Sequence, residues 1–149
     1  MIYSNGTFRE MCTRINKAKT QEMMHRHAQD GVKVVTFYKV FLVSENSEFM
    51  PIFQHETYQG DDAEGDGYLK AKKTTDAIEG ENIVGSGAYH GFAFEEDAKS
   101  TKNFMTSMRR TAVVRKVEVP VDNIVGYSNE RNEVAFSKMK ILFQDNEHI

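Results

Sequence analysis

The sequence predicts an α+β fold, a mainly antiparallel twisted sheet with two N-terminal helices and one further helix, at about residues 95–108, packed on it. Three stretches carry that expectation. Residues 32–43 (VKVVTFYKVFLV) are rich in β-branched and aromatic side chains on both faces, which suits a central strand better than an edge strand. Residues 112–119 alternate: Val113, Arg115, Val117 and Val119 share one face, while Lys116 and Glu118 point the other way. Between these stretches, Glu95, Glu96 and Asp97 precede Ala98, Thr101, Met105 and Met108 at helical spacing. Acidic groups thus meet the positive end of the helix dipole, and an apolar stripe faces inward.

Taken in order, the elements fill a single domain over residues 1–149, a helical segment at 1–30 followed by a mixed sheet at 32–143. Thr7-Phe8-Arg9-Glu10 matches a capping box, and Phe8, Met11, Cys12 and Ile15 follow along one face of a first helix. Thr20 caps a second helix, through Met23, Met24, His27 and Ala28 to Gly31. Residues 44–47 turn the chain into a return strand at 48–53, which Pro51 restricts to an edge or a bulge. A loop at 54–67 carries Asp61, Asp62, Glu64 and Asp66 among glycines, and 68–72 reads as a short strand. Gly85, Gly87 and Gly91 indicate a turn or a close backbone approach leading into a strand. Pro120 ends the 112–119 strand. Residues 125–127 and 134–143 then form a hairpin, and 145–149 reads as a frayed tail.

The composition narrows the partners. A net charge of −3 gives no overall basic field, so no nucleic-acid polymer is expected. One cysteine cannot form an internal disulfide, which favours a reducing cytoplasm. The opening residues lack the pattern of a signal peptide, and no apolar stretch approaches the ~18–20 residues of a membrane span. A soluble cytoplasmic protein without a membrane partner is the expectation.

Several constellations could carry chemistry. Asp62, Glu64, Asp66 and Gly67 imitate the start of an EF-hand loop, but Lys73 stands where the bidentate glutamate belongs, so a solvated acidic loop is expected and no metal. His25, His27, His55, His90 and His148 form no zinc spacing, and the single Cys12 supplies no thiolate pair. Gly85-Ser86-Gly87 before Tyr89-His90-Gly91 could bring backbone donors near an anion, although neither a P-loop nor a dinucleotide fingerprint follows. Arg109, Arg110, Arg115 and Lys116 form the dense basic cluster, either compensating a helix end or gripping phosphate. Arg115 stands out because alternation places it on an apolar face, where a charge needs a partner or a ligand. Tyr89, His90 and Phe92 are the aromatic groups that could stack beside it.

Tyr38-Lys39-Val40-Phe41, the run from Gly87 to Phe92 before Glu96-Asp97-Ala98, the 113–120 strand and the closing 134–141 strand together resemble small phage-encoded proteins of uncharacterised function. The layout is also distantly similar to the ADP-ribosyltransferase-like fold, which binds NAD between packed sheets. That resemblance implies that Lys39 would bind NAD and Glu133 would be the catalytic glutamate. The chain departs from that family in lacking its Ser-Thr-Ser run and in holding Arg131 where the first residue of a Glu-x-Glu pair belongs.

Three readings follow. The favoured one is a non-enzymatic accessory protein that binds a nucleotide-like small molecule through Tyr89, His90, Phe92, Arg109, Arg110 and Arg115, with no cofactor. The phage resemblance adds that such a molecule could be a host defence signal sequestered in the host cytoplasm. The second reading is a transferase using NAD. The third is a module that inhibits a host protein. Amphipathic helices and sheet edges would also suit a homo-oligomer.

Overall fold

A computed structural model describes the protein over residues 14–50, 62–63, 67–71, 88–129, 132–145 and 147. The helix expected from Thr7, Cys12, the Pro51 part of the return strand, most of the acidic loop, Gly85, Gly87, Arg131 and His148 lie outside these residues.

The fold is α+β. Among the described residues, two α-helices, α1 (Lys17–Gln29) and α2 (Glu95–Ser107), accompany nine strands. These are β1 (Val34–Val43), β2 (Phe49–Met50), β3 (Asp62–Ala63), β4 (Leu69–Lys70), β5 (Tyr89–Phe92), β6 (Ala112–Pro120), β7 (Ile124–Tyr127), β8 (Glu133–Phe136) and β9 (Lys138–Ile141). All their pairings are antiparallel, in the order β3-β4-β9-β6-β1-β5-β8-β7, with β2 added to the end of β1. β1 is central, as its two apolar faces require, and its ladder with β6 runs unbroken from Val34↔Pro120 to Leu42↔Ala112.

β8 and β9 are one stretch of chain interrupted only at Ser137. Its first half pairs with β5 and β7, and its second half with β6 and β4. Since β5 and β6 flank β1 on opposite sides, this bent strand joins both edges of the β5-β1-β6 layer and curls the sheet around its inner face. That face holds Phe37, Phe41, Val117, Val119, Val134, Phe136, Met139 and Ile141, with the Phe37 and Phe136 rings stacked at 5.7 Å. The outer face of β1, β5 and β6 is covered by α2, which buries Ala98 and Met105 against Val40, Leu42, Phe92 and Ala112. Complete burial of Phe41 alone contributes roughly 2–3 kcal/mol.

The cap of α1 corrects the sequence expectation. Asn16, in an extended conformation, accepts from the Lys19 amide at 2.8 Å, so the helix begins three residues before Thr20. Asparagine is among the strongest N-caps, and its extended backbone suits the position. The Thr20 hydroxyl instead donates to the Asn16 carbonyl at 2.8 Å and accepts from the Tyr127 amide at 2.9 Å, fixing α1 beside β7. The chain leaves α1 through Gly31, with φ of 67°, and Val32 N–H donates to the His27 carbonyl. α2 ends the same way, but with Arg109 at φ of 61° in the glycine position. There the Arg110 amide donates to the Met105 carbonyl and the Arg109 amide to that of Thr106.

Candidate functional site

The ladder between β6 and β9 is short. It covers Val117↔Ile141 and Glu118↔Lys140, and the Leu142 amide then donates to the Lys116 carbonyl at 3.0 Å. Beyond that bond Leu142, Phe143 and Gln144 lie outside the ladder, and Leu142 and Gln144 border the β6 edge. A cleft of about 210 Å³ forms there, lined by Tyr38, Glu95, Val114, Arg115, Lys116, Leu142 and Gln144. Tyr38 and Lys116 are register partners, so a half-buried aromatic ring and an exposed ammonium share one wall. Glu95, at the first turn of α2, supplies the acidic side of the cleft and is bridged to Lys99 at 2.9 Å. Lys99 and, more weakly, Lys116 hold the Glu95 carboxyl below its ordinary value.

Arg115 completes the cleft with its guanidinium already engaged. Nε donates to Glu147 Oε1 at 2.8 Å, Nη2 to Glu147 Oε2 and to Gln144 Oε1, and Nη1 to the Val114 carbonyl at 2.7 Å. The partner that this charge requires is thus a glutamate 32 residues away in the expected tail, and that part of the tail is anchored. Arg115 holds the Glu147 carboxyl below the usual glutamate range through this pairing.

Lys39 occupies the inner face between Phe37 and Phe41 and is only 4% exposed. Its Nζ donates to the His90 carbonyl at 2.8 Å and lies 5.5 Å from the centre of the Phe41 ring. Burial brings its pKa down to about 7. His90 is lowered to about 4, chiefly by burial and secondarily by Lys39.

The residues expected at the site do not converge. Tyr89 packs inward against Phe136, while Phe92 packs under α2, so neither ring is presented as an open stacking surface. Arg109 and Arg110 are exposed at the turn between α2 and β6, whereas Arg115 lies within the β6 ladder. Glu133 pairs with Phe92 and therefore faces the α2 side, while Lys39 faces the inner core; the two do not meet on one face. Compared with known proteins, the chain matches no family model, no curated sequence and no solved structure.

The cleft residues missed in the sequence are Tyr38, Leu142 and Gln144, together with Glu147, the partner of the cleft-lining Arg115. Tyr38 reads locally as one more β-strand aromatic, and only the Tyr38↔Lys116 register turns it into a cleft wall. Among the described residues, no three His, Cys, Asp or Glu side chains gather as a metal site. Within the same residues, no helix is long and apolar enough to cross a membrane.

Proposed function

We propose that this protein is a non-enzymatic binding module for a small, planar, anionic molecule of the nucleotide class, held in the cleft at the β6 edge. The observation that carries the reading is the pairing of Tyr38 with Lys116 across β1 and β6, beside the Arg115 fork. A ring and the aliphatic Val114 and Leu142 can contact a base on the α2 side, where Lys116 suits a phosphate, and Arg115, from the opposite face of β6, lines the same cleft at the strand edge. The cleft, at about 210 Å³, is smaller than the roughly 300–1,000 Å³ of pockets that enclose drug-sized ligands, so it suits one nucleotide unit with the rest of a larger molecule in solvent. Separation of Lys39 and Glu133 onto different faces favours capture over transferase chemistry. Capture without turnover would suit a protein that sequesters a nucleotide signal, the role suggested by the phage-protein resemblance.

The experiment is a thermal-shift and calorimetric panel of AMP, ADP, ADP-ribose and cyclic mono- and dinucleotides. Binding by one of them, lost in Lys116→Glu and weakened in Tyr38→Ala, is the expected result. A flat panel at millimolar concentrations would sink the reading.

A further inference from the structure

The side chain of Glu147 does at Arg115 what a ligand phosphate would do. Its two oxygens face Nε and Nη2 in a forked, charge-assisted arrangement, the geometry that guanidinium groups offer to carboxylates and phosphates alike. A local turn presents it: the Gln144 amide donates to Glu147 Oε1 at 2.7 Å, and the Glu147 amide donates to the Gln144 carbonyl at 3.1 Å. Arg115 and Gln144 both line the cleft; Glu147 does not line it itself and is held there through these two residues.

The segment that delivers this carboxylate is lightly held. Leu142 is 37% and Phe143 38% exposed, and Phe143 reaches the core through a ring contact with Phe49 at 5.1 Å. A segment with little apolar burial opens more readily than the sheet behind it. The ion pair is partly enclosed, with Arg115 14% and Glu147 18% exposed, and together with the Gln144 contact it ties Glu147 and Gln144 to β6.

We infer that Arg115 is the anion-binding group of the cleft and that Glu147 is its displaceable resident, a C-terminal latch that an incoming phosphate must lift. This deepens the proposed function and rests on the same cleft. The ligand class is a phosphate or pyrophosphate ester, whose oxygens replace the Glu147 carboxylate on Nε and Nη2. The latch lowers apparent affinity by the fraction of molecules in which it is closed, so removing it raises affinity by the inverse of the open fraction.

The test uses the full chain and inorganic pyrophosphate as probe, by calorimetry at constant ionic strength, comparing the parent with Glu147→Ala and Glu147→Gln. Tightening of about tenfold or more in both variants is expected if the latch is open a tenth of the time or less. Amide exchange at Gln144 and Glu147 of the parent should accelerate as pyrophosphate is added, and Arg115→Ala should abolish binding. Equal affinity in parent and variants overturns the latch, as does failure of all three to bind pyrophosphate. Pyrophosphate binding that depends on Glu147, with a flat nucleotide panel, leaves the latch standing and sinks the nucleotide reading. Nucleotide binding that ignores Glu147 does the reverse.

Discussion

Lys39 and Arg115 are register partners on one face of β1 and β6, and their charges leave each other in opposite directions. Directly opposed residues of an antiparallel pair hold their Cβ atoms about 5 Å apart, where like charges repel. Lys39 turns to the His90 carbonyl on β5, and Arg115 turns to Glu147 and Gln144 at the cleft. One cation is buried and made easier to deprotonate; the other is matched by a carboxylate.

Stability should therefore depend on pH through Lys39. Its folded pKa of about 7 lies below the ordinary 10.5, so the unfolded chain holds the extra proton between those values. Stability is greatest near the top of that window and falls as pH drops toward 7, by about 1.4 kcal/mol per unit. Below pH 7 the group contributes no further loss. Lys39→Met should flatten this slope between pH 7.5 and 9.5 and stabilise the protein at pH 7 by about 2 kcal/mol. That gain is relief of roughly 5 kcal/mol less about 3 kcal/mol for the lost charge-assisted hydrogen bond to the His90 carbonyl. Urea unfolding across that range is the measurement, and an unchanged slope in the variant would refute the assignment.

His90 adds an acid limb. Its folded value of about 4 against 6.5 means that its stabilising contribution, complete above pH 6.5, is lost as pH falls toward 4. His90→Gln should reduce the loss of melting temperature between pH 6.5 and 4. Nuclear magnetic resonance titration of the imidazole, with a midpoint well below 6.5, would check the cause directly.

Much of this architecture was legible in the sequence, and the reason is periodicity. β1 and β6 declared themselves through apolar content and alternation, and α2 through an acidic first turn before an apolar stripe. What stayed hidden was non-local. That Arg115 meets Glu147, or that Tyr38 lies opposite Lys116, follows from strand register and from where β9 leaves β6, and neither is written in a local pattern. The strand that the glycines lead into is β5, but alternation along it sends Tyr89 and Phe92 to opposite faces, where both are buried rather than open for stacking. Thr20 reads as a cap because it precedes apolar residues at helical spacing, yet the better competitor, Asn16, stands one turn earlier.

Arg109 is the residue to replace for stability. It holds a left-handed conformation at the end of α2 in a position that glycine fills at the end of α1. Arg109→Gly should stabilise the fold by about 0.5–1 kcal/mol, read as a higher melting temperature. A lower melting temperature would show that its exposed side chain makes a compensating contact.

Gly126 tests the docking of the chain before α1. A Cβ at this position would lie 2.6 Å from Ile15 Cδ1 and 2.7 Å from its Cγ atoms. Gly126→Ala should cost about 1–3 kcal/mol through overpacking. Adding Ile15→Ala should cost less in that background than in the parent, a coupling that a double-mutant cycle measures.

The break at Ser137 bears finally on how the chain comes together. Before residues 133–141 leave the ribosome, β1, β5 and β6 can associate, yet β5 and β6 each present a row of unsatisfied amides and carbonyls, and β7 lacks its strand partner. Such edges recruit other chains. One nine-residue stretch silences both of them when it arrives, so a nascent or truncated chain lacking it should be the species that aggregates or calls for a chaperone.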